Sequence, residues 1–223
     1  MRADRGIIFS APMVRALLDG RKTQTRRVLK PAQGLTLGDM LDAGERDGAI
    51  IRCARGQVRE PPYAPGDRLW VREAWGHDAP SLDDCRRGVE ALGAMPYGPY
   101  YMADGGWAEN HTIKRCSPIH MPRWASRMTL VVTEVRVERL HEISEEDAQA
   151  EGAMPFPGQD GEWWVPGKTN IYPEARLAFI DLWDSIHGPG SWAENPWVAA
   201  IRFTVHRCNI DALAGEEAKH GDR

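Results

Sequence analysis

The sequence predicts an α+β protein: a small β-barrel of about five or six strands with flanking helices and long inserted loops. Several short segments alternate apolar and polar residues with the period of two that is typical of strands. Two other segments carry apolar residues at helical spacing, and a third is a short acidic segment between a capping serine and a glycine. Three stretches rich in glycine, proline or charge separate them, near residues 31–62, 76–123 and 153–172. We interpret these stretches as insertions in one domain, residues 1–208, which a polar tail follows at 209–223.

The first half of the chain contains two predicted strands and one helix. Residues 6–9 predict a short buried strand, and Ser10 can cap a helix that ends at Gly20, a residue suited to closing helices. Residues 31–62 predict one small hairpin around Ile50 to Cys53. After the turn at residues 65–67, the alternation from residue 68 onward predicts a second strand. One face of this strand carries Trp70 and Arg72 and could line a groove.

The second half contains two further predicted strands and two helices. Residues 128–139 alternate clearly and predict a strand, as do residues 198–205 near the end of the chain. Ser144 predicts the start of a short acidic helix that ends at Gly152, and Pro173 opens an amphipathic helix. Glu151 lies at the C-terminus of the acidic helix, where an acid opposes the helix dipole, and this position is a hint of function.

Composition excludes several classes of protein. The chain has 223 residues, a net charge of −4 and 27% charged residues, which is typical of a globular protein and not of a polybasic nucleic-acid binder. It contains neither an apolar run long enough to span a membrane nor a signal-peptide pattern, so we expect a cytoplasmic protein without a membrane partner. The four cysteines and seven histidines lack ligand-type spacing, so we expect neither metal nor cofactor. The oligomeric state stays open.

One segment, residues 17–30, concentrates positive charge in this acidic chain. Two threonines lie there among six nearby cations, and a single acid accompanies them. Hydroxyls placed among cations suit nucleophilic chemistry or the binding of a phosphate. The same pattern is also typical of a solvated strand edge that protects a sheet from aggregation, and spacing alone does not decide between these interpretations.

Three segments together resemble the ASCH-domain family. They are Phe-Ser-Ala-Pro-Met-Val-Arg-Ala-Leu-Leu-Asp-Gly-Arg-Lys-Thr-Gln-Thr-Arg-Arg at 9–27, Pro-Gly-Asp-Arg-Leu-Trp-Val-Arg-Glu at 65–73, and Ile-Ser-Glu-Glu-Asp-Ala-Gln-Ala-Glu-Gly at 143–152. The length of the chain is similar to that of phage and prophage members. The resemblance implies a PUA-like barrel and a partner that is a nucleoside, RNA or a modified nucleic acid.

Within that family, the chain is most similar at motif level to bacterial N4-acetylcytidine amidohydrolases. Their Gly-Arg-Lys-Thr-x-Thr-x-Arg motif matches residues 20–27, which implies a catalytic lysine at Lys22 and a catalytic threonine at Thr25. Their catalytic glutamate falls best on Glu151, although Glu145 and Glu146 offer other registers. The resemblance therefore implies a metal-independent hydrolase of N-acylated nucleosides or modified bases.

An amide hydrolase needs a nucleophile and groups that move protons. Thr25 can attack if a neutral Lys22 removes its proton, and Glu151 can position water or carry a proton to the leaving amine. Three arginines lie close to Lys22 in sequence: Arg21, Arg26 and Arg27. Their positive charges and burial would both lower the pKa of Lys22. On a regular strand Lys22 and Thr25 would point to opposite faces, so this mechanism requires a turn or bulge near residues 21–24.

Two other functions remain open at this point. A non-catalytic module for RNA or modified nucleic acid would use cationic and aromatic side chains. The residues that we assign to the binding of a substrate or a nucleic acid are Arg21, Arg26, Arg27, Trp70, Arg72, Glu73, Trp75, Arg123 and Trp124. A single-strand ribonuclease is the third possibility, in which the same lysine and threonine would bind phosphate. Trp124 also has a simpler explanation, which is packing against the core.

Overall fold

The computed structural model describes residues 3–29, 45–47, 50–52, 58–59, 61–92, 98–105 and 112–213. The protein is mixed α+β. Its helices are α1 (Ala11–Leu18), α2 (Leu82–Leu92), α3 (Glu145–Ala150) and α4 (Ala175–His187). Its strands are β1 (Asp4–Ile8), β2 (Gln24–Val28), β3 (Glu45–Asp47), β4 (Ile50–Arg52), β5 (Val58–Arg59), β6 (Arg68–Arg72), β7 (Trp75–His77), β8 (Tyr100–Tyr101), β9 (Lys114–Cys116), β10 (Thr129–Arg139), β11 (Met154–Pro155), β12 (Trp163–Trp164) and β13 (Trp197–His206). Short 3-10 turns lie at Met102–Asp104, Pro118–His120, Arg123–Ala125 and Leu140–Glu142.

Five strands form the main sheet, in the order β1-β6-β10-β13-β2. Three small sheets accompany it: β3-β4-β5, β8-β7-β9 and the hairpin β11-β12. β1 and β2 are the outer strands of the main sheet, and the pairing recorded for the described residues does not close it into a barrel. No helix in these parts of the chain is long and apolar enough to cross a membrane.

The chain divides into two compact units. Unit 1 comprises residues 1–19, 67–131 and 205–223, and unit 2 comprises residues 20–66 and 132–204. In unit 1, β1 runs parallel to β6 and β6 runs antiparallel to the start of β10, with Gly6 and Thr129 both opposite Trp70. A small core of Trp75, Met121 and Ala125 lies beside β7.

Unit 2 contains the elements that carry most of the candidate site. β2 pairs antiparallel with β13, and Thr25 lies opposite Ile201 in that register. The helices α3 and α4 pack against each other, and α3 also contacts β2. Thus the basic segment and the acidic helix, far apart in sequence, are neighbours in this unit.

Several local predictions are confirmed. The first helix ends at Leu18, and Gly20 follows it with a φ of +74°, a conformation that favours glycine. The Ser144 hydroxyl accepts a hydrogen bond from the backbone N–H of Asp147, so Ser144 caps α3 as expected. The predicted strand at 128–139 corresponds to β10, and the closing strand to β13.

The predicted insertions contain more regular structure than we expected. The strands β3, β4 and β5 form a three-stranded antiparallel sheet instead of one hairpin, and Cys53 of that prediction lies outside the described residues. The stretch 76–123 includes α2, whose start is capped because the Ser81 hydroxyl accepts from the Asp84 N–H at 3.1 Å. A serine followed three residues later by an acid is a known helix start, so the sequence contained this signal.

Residues 209–213 are the part of the predicted polar tail that the structure describes. A helical segment begins at Ile210, and Ile210 and Leu213 are both buried in unit 1. The Asn209 side chain donates to the carbonyl oxygens of Arg123 and Ser126 at 2.9 and 2.8 Å. Apolar residues spaced three apart anchor this segment, although polar residues dominate its composition.

Candidate functional site

Lys22 and Glu151 form a buried ion pair in unit 2. The Lys22 side chain is fully buried, and its Nζ donates to Glu151 Oε2 at 2.7 Å and to the Glu151 carbonyl oxygen at 2.7 Å. The Glu151 side chain is only 4% exposed. Lysine is almost never fully buried unless it is paired, so this contact explains how Lys22 is accommodated.

The backbone around Lys22 is not part of a strand. β2 begins at Gln24, and residues 21–23 follow Gly20 without regular structure. The Thr23 N–H donates to the carbonyl oxygen of Ala150 at the end of α3, and the Thr23 carbonyl accepts from Phe203 of β13. The strand alternation that would place Lys22 and Thr25 on opposite faces therefore does not extend to Lys22.

Among the three glutamates that could match the family motif, only Glu151 contacts Lys22. Glu151 is the residue that caps the C-terminus of α3. Glu145 instead accepts hydrogen bonds from the backbone N–H groups of Ala175 and Arg176, at the start of α4. Glu146 is exposed. The contact with Lys22 therefore explains why an acid occurs at position 151, although an acid at a helix C-terminus opposes the helix dipole.

Arg26 extends the pair into a charged cluster. Its Nη1 lies 3.3 Å from Glu151 Oε1, and its Nη2 donates to Glu138 Oε1 at 2.5 Å and Asp147 Oδ2 at 2.6 Å. Arg136 donates to the same Asp147 oxygen at 2.7 Å. The Glu151 carboxylate is therefore held on both oxygens, by Lys22 on one and by Arg26 on the other.

Sequence reasoning missed the acids that hold Arg26. Asp147 and Glu151 are four residues apart, a spacing that puts both on one face of α3. Arg136 and Glu138 are two residues apart and share one face of β10. These spacings were visible in the sequence, but only the packing of α3 and β10 around Arg26 identifies its partners.

Thr25 is buried on the other face of β2. Gln24 and Arg26 both contact the charged cluster, so strand alternation directs Thr25 away from it, to the side of its register partner Ile201. Among the described residues, no hydrogen bond joins the Thr25 hydroxyl to Lys22. Lys22 and Glu151 are thus in contact in this structure, whereas Thr25 is near Lys22 in sequence without being bonded to it.

Burial dominates the electrostatics of Lys22. Desolvation lowers the pKa of its ammonium group below 10.5; the Glu151 carboxylate opposes this shift, whereas Arg27 and Arg26 add to it. Burial also lowers the pKa of Arg27. Burial would raise the pKa of Asp147, but hydrogen bonds from Arg136 and Arg26 hold it below 3.8. Arg21 directly precedes Lys22 and is half-buried.

The remaining predicted binding residues belong to unit 1. Trp70 and Arg72 share one face of β6, as expected, and the Arg72 guanidinium lies 5.0 Å from the centre of the Trp70 ring. Arg72 also donates to the carbonyl oxygens of Ile119 and Met121. This arrangement is a cation–π pair whose cation is anchored to the 117–121 segment.

The other four residues have structural contacts in unit 1. Both oxygens of Glu73 accept from the guanidinium of Arg127, at 2.9 and 3.0 Å, and burial raises the pKa of Glu73 although Arg127 opposes the shift. Trp75 is buried in the core, so it offers no exposed ring on which a base could stack. Trp124 packs edge-on against Trp75, as its simpler explanation predicted. Arg123 forms ion pairs with two acids of unit 1, Asp4 and Asp211.

Across the described ranges, no group of three or more histidine, cysteine, aspartate or glutamate side chains could hold a metal ion. No protein-family model, no curated protein and no solved structure matches the chain. The ASCH-domain resemblance therefore stays a prediction, and the site is defined by its geometry.

Proposed function

We propose that the chain is a metal-independent amidohydrolase that removes an acyl group from an N-acylated, N4-acetylcytidine-like nucleoside or modified base. One observation carries this proposal: Lys22 and Glu151, 129 residues apart in sequence, are in direct contact at 2.7 Å. These are two of the three groups that the family motif assigns to catalysis. The contact also favours Glu151 over the other possible registers of the glutamate.

The proposed chemistry uses Thr25 as the nucleophile. Its hydroxyl oxygen attacks the acyl carbonyl carbon, and its proton passes to Lys22 in the neutral form that burial favours. Glu151 takes this proton from the Lys22 ammonium and carries it to the departing amine, so that the C–N bond breaks and an acyl-threonine ester forms. Water then hydrolyses the ester, which releases the carboxylic acid and regenerates Thr25.

The Lys22–Glu151 pair is buried, so the proposed mechanism must include a step that admits the substrate. Lys22 is fully buried and Glu151 nearly so, and Thr25 is not bonded to Lys22. A substrate must therefore open the Lys22–Glu151 contact and bring the Thr25 hydroxyl toward the freed amine. Enzymes commonly complete their catalytic groups in such a step.

We also propose that the main sheet belongs to a PUA-like barrel of the ASCH family. Two of the three resembling segments, residues 9–27 and 143–152, contact each other through Lys22, Arg26 and Glu151. A family motif whose separate pieces meet at one buried cluster supports a common origin of those pieces.

The internal pairing of arginines favours the hydrolase over a nucleic-acid-binding module. Arg123 contacts Asp4 and Asp211, and Arg127 contacts Glu73 and Asp104. Phosphates would first have to displace these carboxylates. Arg26, deep in the charged cluster of unit 2, is occupied in the same way.

Incubation of the purified protein with N4-acetylcytidine, followed by chromatography, tests the proposal. We expect cytidine and acetate from the wild type and from Lys168→Met, and no product from Lys22→Met or Thr25→Ala. Lys168 is a suitable control because it is a partly exposed lysine of the same unit. Circular dichroism verifies that each variant is folded.

The result also separates the alternatives. Turnover that survives in folded Thr25→Ala refutes the nucleophile assignment. An absence of turnover by the wild type on a panel of acylated nucleosides refutes the amidohydrolase. Metal-independent cleavage of labelled single-stranded RNA, lost in Lys22→Met, would establish the ribonuclease, and salt-dependent RNA binding without cleavage would establish the binding module.

A further inference from the structure

Unit 2 contains an open cavity of about 210 Å³ between the end of β2 and the end of α4. Val28 of β2 lines it together with Trp183 and His187 of α4 and the segment that follows this helix. Val28 is on the same face of β2 as Arg26, two residues along the strand. The cavity therefore lies on the strand face that carries the charged cluster, but its lining residues are distinct from that cluster.

The walls of the cavity suit a flat ring. Trp183 and His187 are one helical turn apart, and their rings are in contact, with centroids 4.1 Å apart and planes inclined at 31°. Pro189 and Pro196 add two further rigid surfaces. Since apolar cavities of about 150 Å³ accept a benzene ring, a volume of about 210 Å³ has room for a ring with substituents.

Two polar residues of the lining, Ser191 and Glu194, lie in the loop that follows α4. Both offer hydrogen-bond acceptors. The Ser191 hydroxyl donates its proton to Asp184 Oδ1 at 3.0 Å, which leaves its oxygen available to accept. Glu194 is exposed and contributes a carboxylate. A ligand that satisfies both groups must supply N–H or O–H donors.

The charges near the cavity favour a neutral ligand over a cation. Burial and the positive charge of Arg27 both lower the pKa of His187. Arg27 thus disfavours a second positive charge at this end of α4, while Glu194 favours a donor. A ring with an uncharged amino group meets both conditions.

The loop that forms one wall is held in place before any ligand arrives. Asp184 accepts from the N–H of Gly190 at 3.3 Å and from that of Trp192 at 2.8 Å. Asn195 has a φ of +43°, which is uncommon for a residue other than glycine, and its side chain accepts from the His141 N–H at 2.8 Å. A strained residue that the surrounding structure holds in place is common at binding sites, and a preformed wall reduces the entropy lost on binding.

We propose that this cavity binds a neutral planar heteroaromatic ring that carries an amino group, of the kind found in cytosine or adenine. The ring stacks among Trp183, His187 and the prolines, and its amino group donates to Glu194. This inference does not depend on catalysis at Lys22.

Calorimetric titration of the full chain with cytosine and with uracil tests the proposal. The two rings have the same size, but cytosine has an amino group at C4 and an acceptor at N3, where uracil has a carbonyl and an N–H. We expect cytosine to bind about tenfold more tightly, the effect of one hydrogen bond to a charged acceptor. Glu194→Ala should abolish this preference. Glu174 is an exposed acid at the other end of α4, so the control variant Glu174→Ala should retain it.

A second variant keeps the test decisive. His187→Ala removes one exposed wall of the cavity and should weaken both ligands by a similar factor, because both lose the same stacking contact. The proposal is overturned if neither base binds, if cytosine and uracil bind equally to the wild type, or if the preference for cytosine persists in Glu194→Ala.

Discussion

The Lys22–Glu151 pair makes a strong prediction about stability. Lys22→Met leaves the Glu151 carboxylate buried with one cationic partner, Arg26, at 3.3 Å. Glu151→Gln has the converse effect and leaves the Lys22 ammonium buried without its carboxylate. The double variant Lys22→Met/Glu151→Gln removes both charges. We therefore expect each single variant to be strongly destabilised and the double variant to be less destabilised than the sum of the two.

The magnitude follows from distance and burial. At 2.7 Å and an effective dielectric constant of about 20, the attraction between the two charges is about 6 kcal/mol. Desolvation of both groups offsets much of this energy, and removal of one partner of a buried pair costs about 3–5 kcal/mol. A coupling energy of about 3 kcal/mol is a large part of the roughly 5–15 kcal/mol that stabilises a typical domain.

Urea unfolding of the wild type and the three variants measures the coupling energy as a double-mutant cycle. Lys168 and Asp181 provide a matched control, because their charged atoms are 3.9 Å apart and their side chains are 27% and 26% exposed. The cycle of Lys168→Met and Asp181→Asn should give less than about 1 kcal/mol. A coupling energy for Lys22 and Glu151 no larger than this control would refute the reasoning.

Three further predictions concern the same unit and its helices. The pKa of Lys22 is lowered below 10.5 in the folded protein, so the unfolded chain binds more protons between the folded pKa and 10.5. In urea unfolding, the free energy of unfolding of the wild type minus that of Lys22→Met should therefore rise with pH across this range. A difference that does not change with pH would contradict this. Asp147→Asn should cost about 3 kcal/mol at neutral pH. Because the folded pKa of Asp147 lies below 3.8, this difference should shrink as the pH falls from 3.8 through the folded value, as followed by circular dichroism, and a constant difference would count against it. Ser144→Ala should lose about 1 kcal/mol on urea unfolding because Ser144 caps α3. Ser10→Ala should lose clearly less, since Ser10 makes no side-chain cap hydrogen bond, and equal losses would contradict the cap.

The local elements could be predicted from the sequence because their causes are local. Gly20 ends α1 through its own backbone conformation, and Ser144 caps α3 through a residue three positions away. The alternation in β10 reflects one buried face. The same kind of signal was present at Ser81 for α2 but was overlooked within a stretch rich in glycine and proline.

The candidate site was predictable in part. The basic segment and the misplaced acid at Glu151 both stand out in the sequence, and the family resemblance connected them with Thr25. The partners of Arg26 were not predicted, since Glu138 and Asp147 lie on two other elements. Composition also gave no indication that Ile210 and Leu213 are buried, because the segment around them is mostly polar.

Local sequence was enough to predict the boundaries of α1 and α3, the periodicity of β10 and the local density of positive charge, because each depends on residues within a few positions of one another. Three other features emerge only in the folded chain: Lys22 is buried against Glu151, Arg123 is paired with two acids, and Trp75 is a core residue. Burial and charge pairing depend on which distant segments pack together. No local pattern specifies that packing, so the chemistry available to these side chains is set by the folded chain.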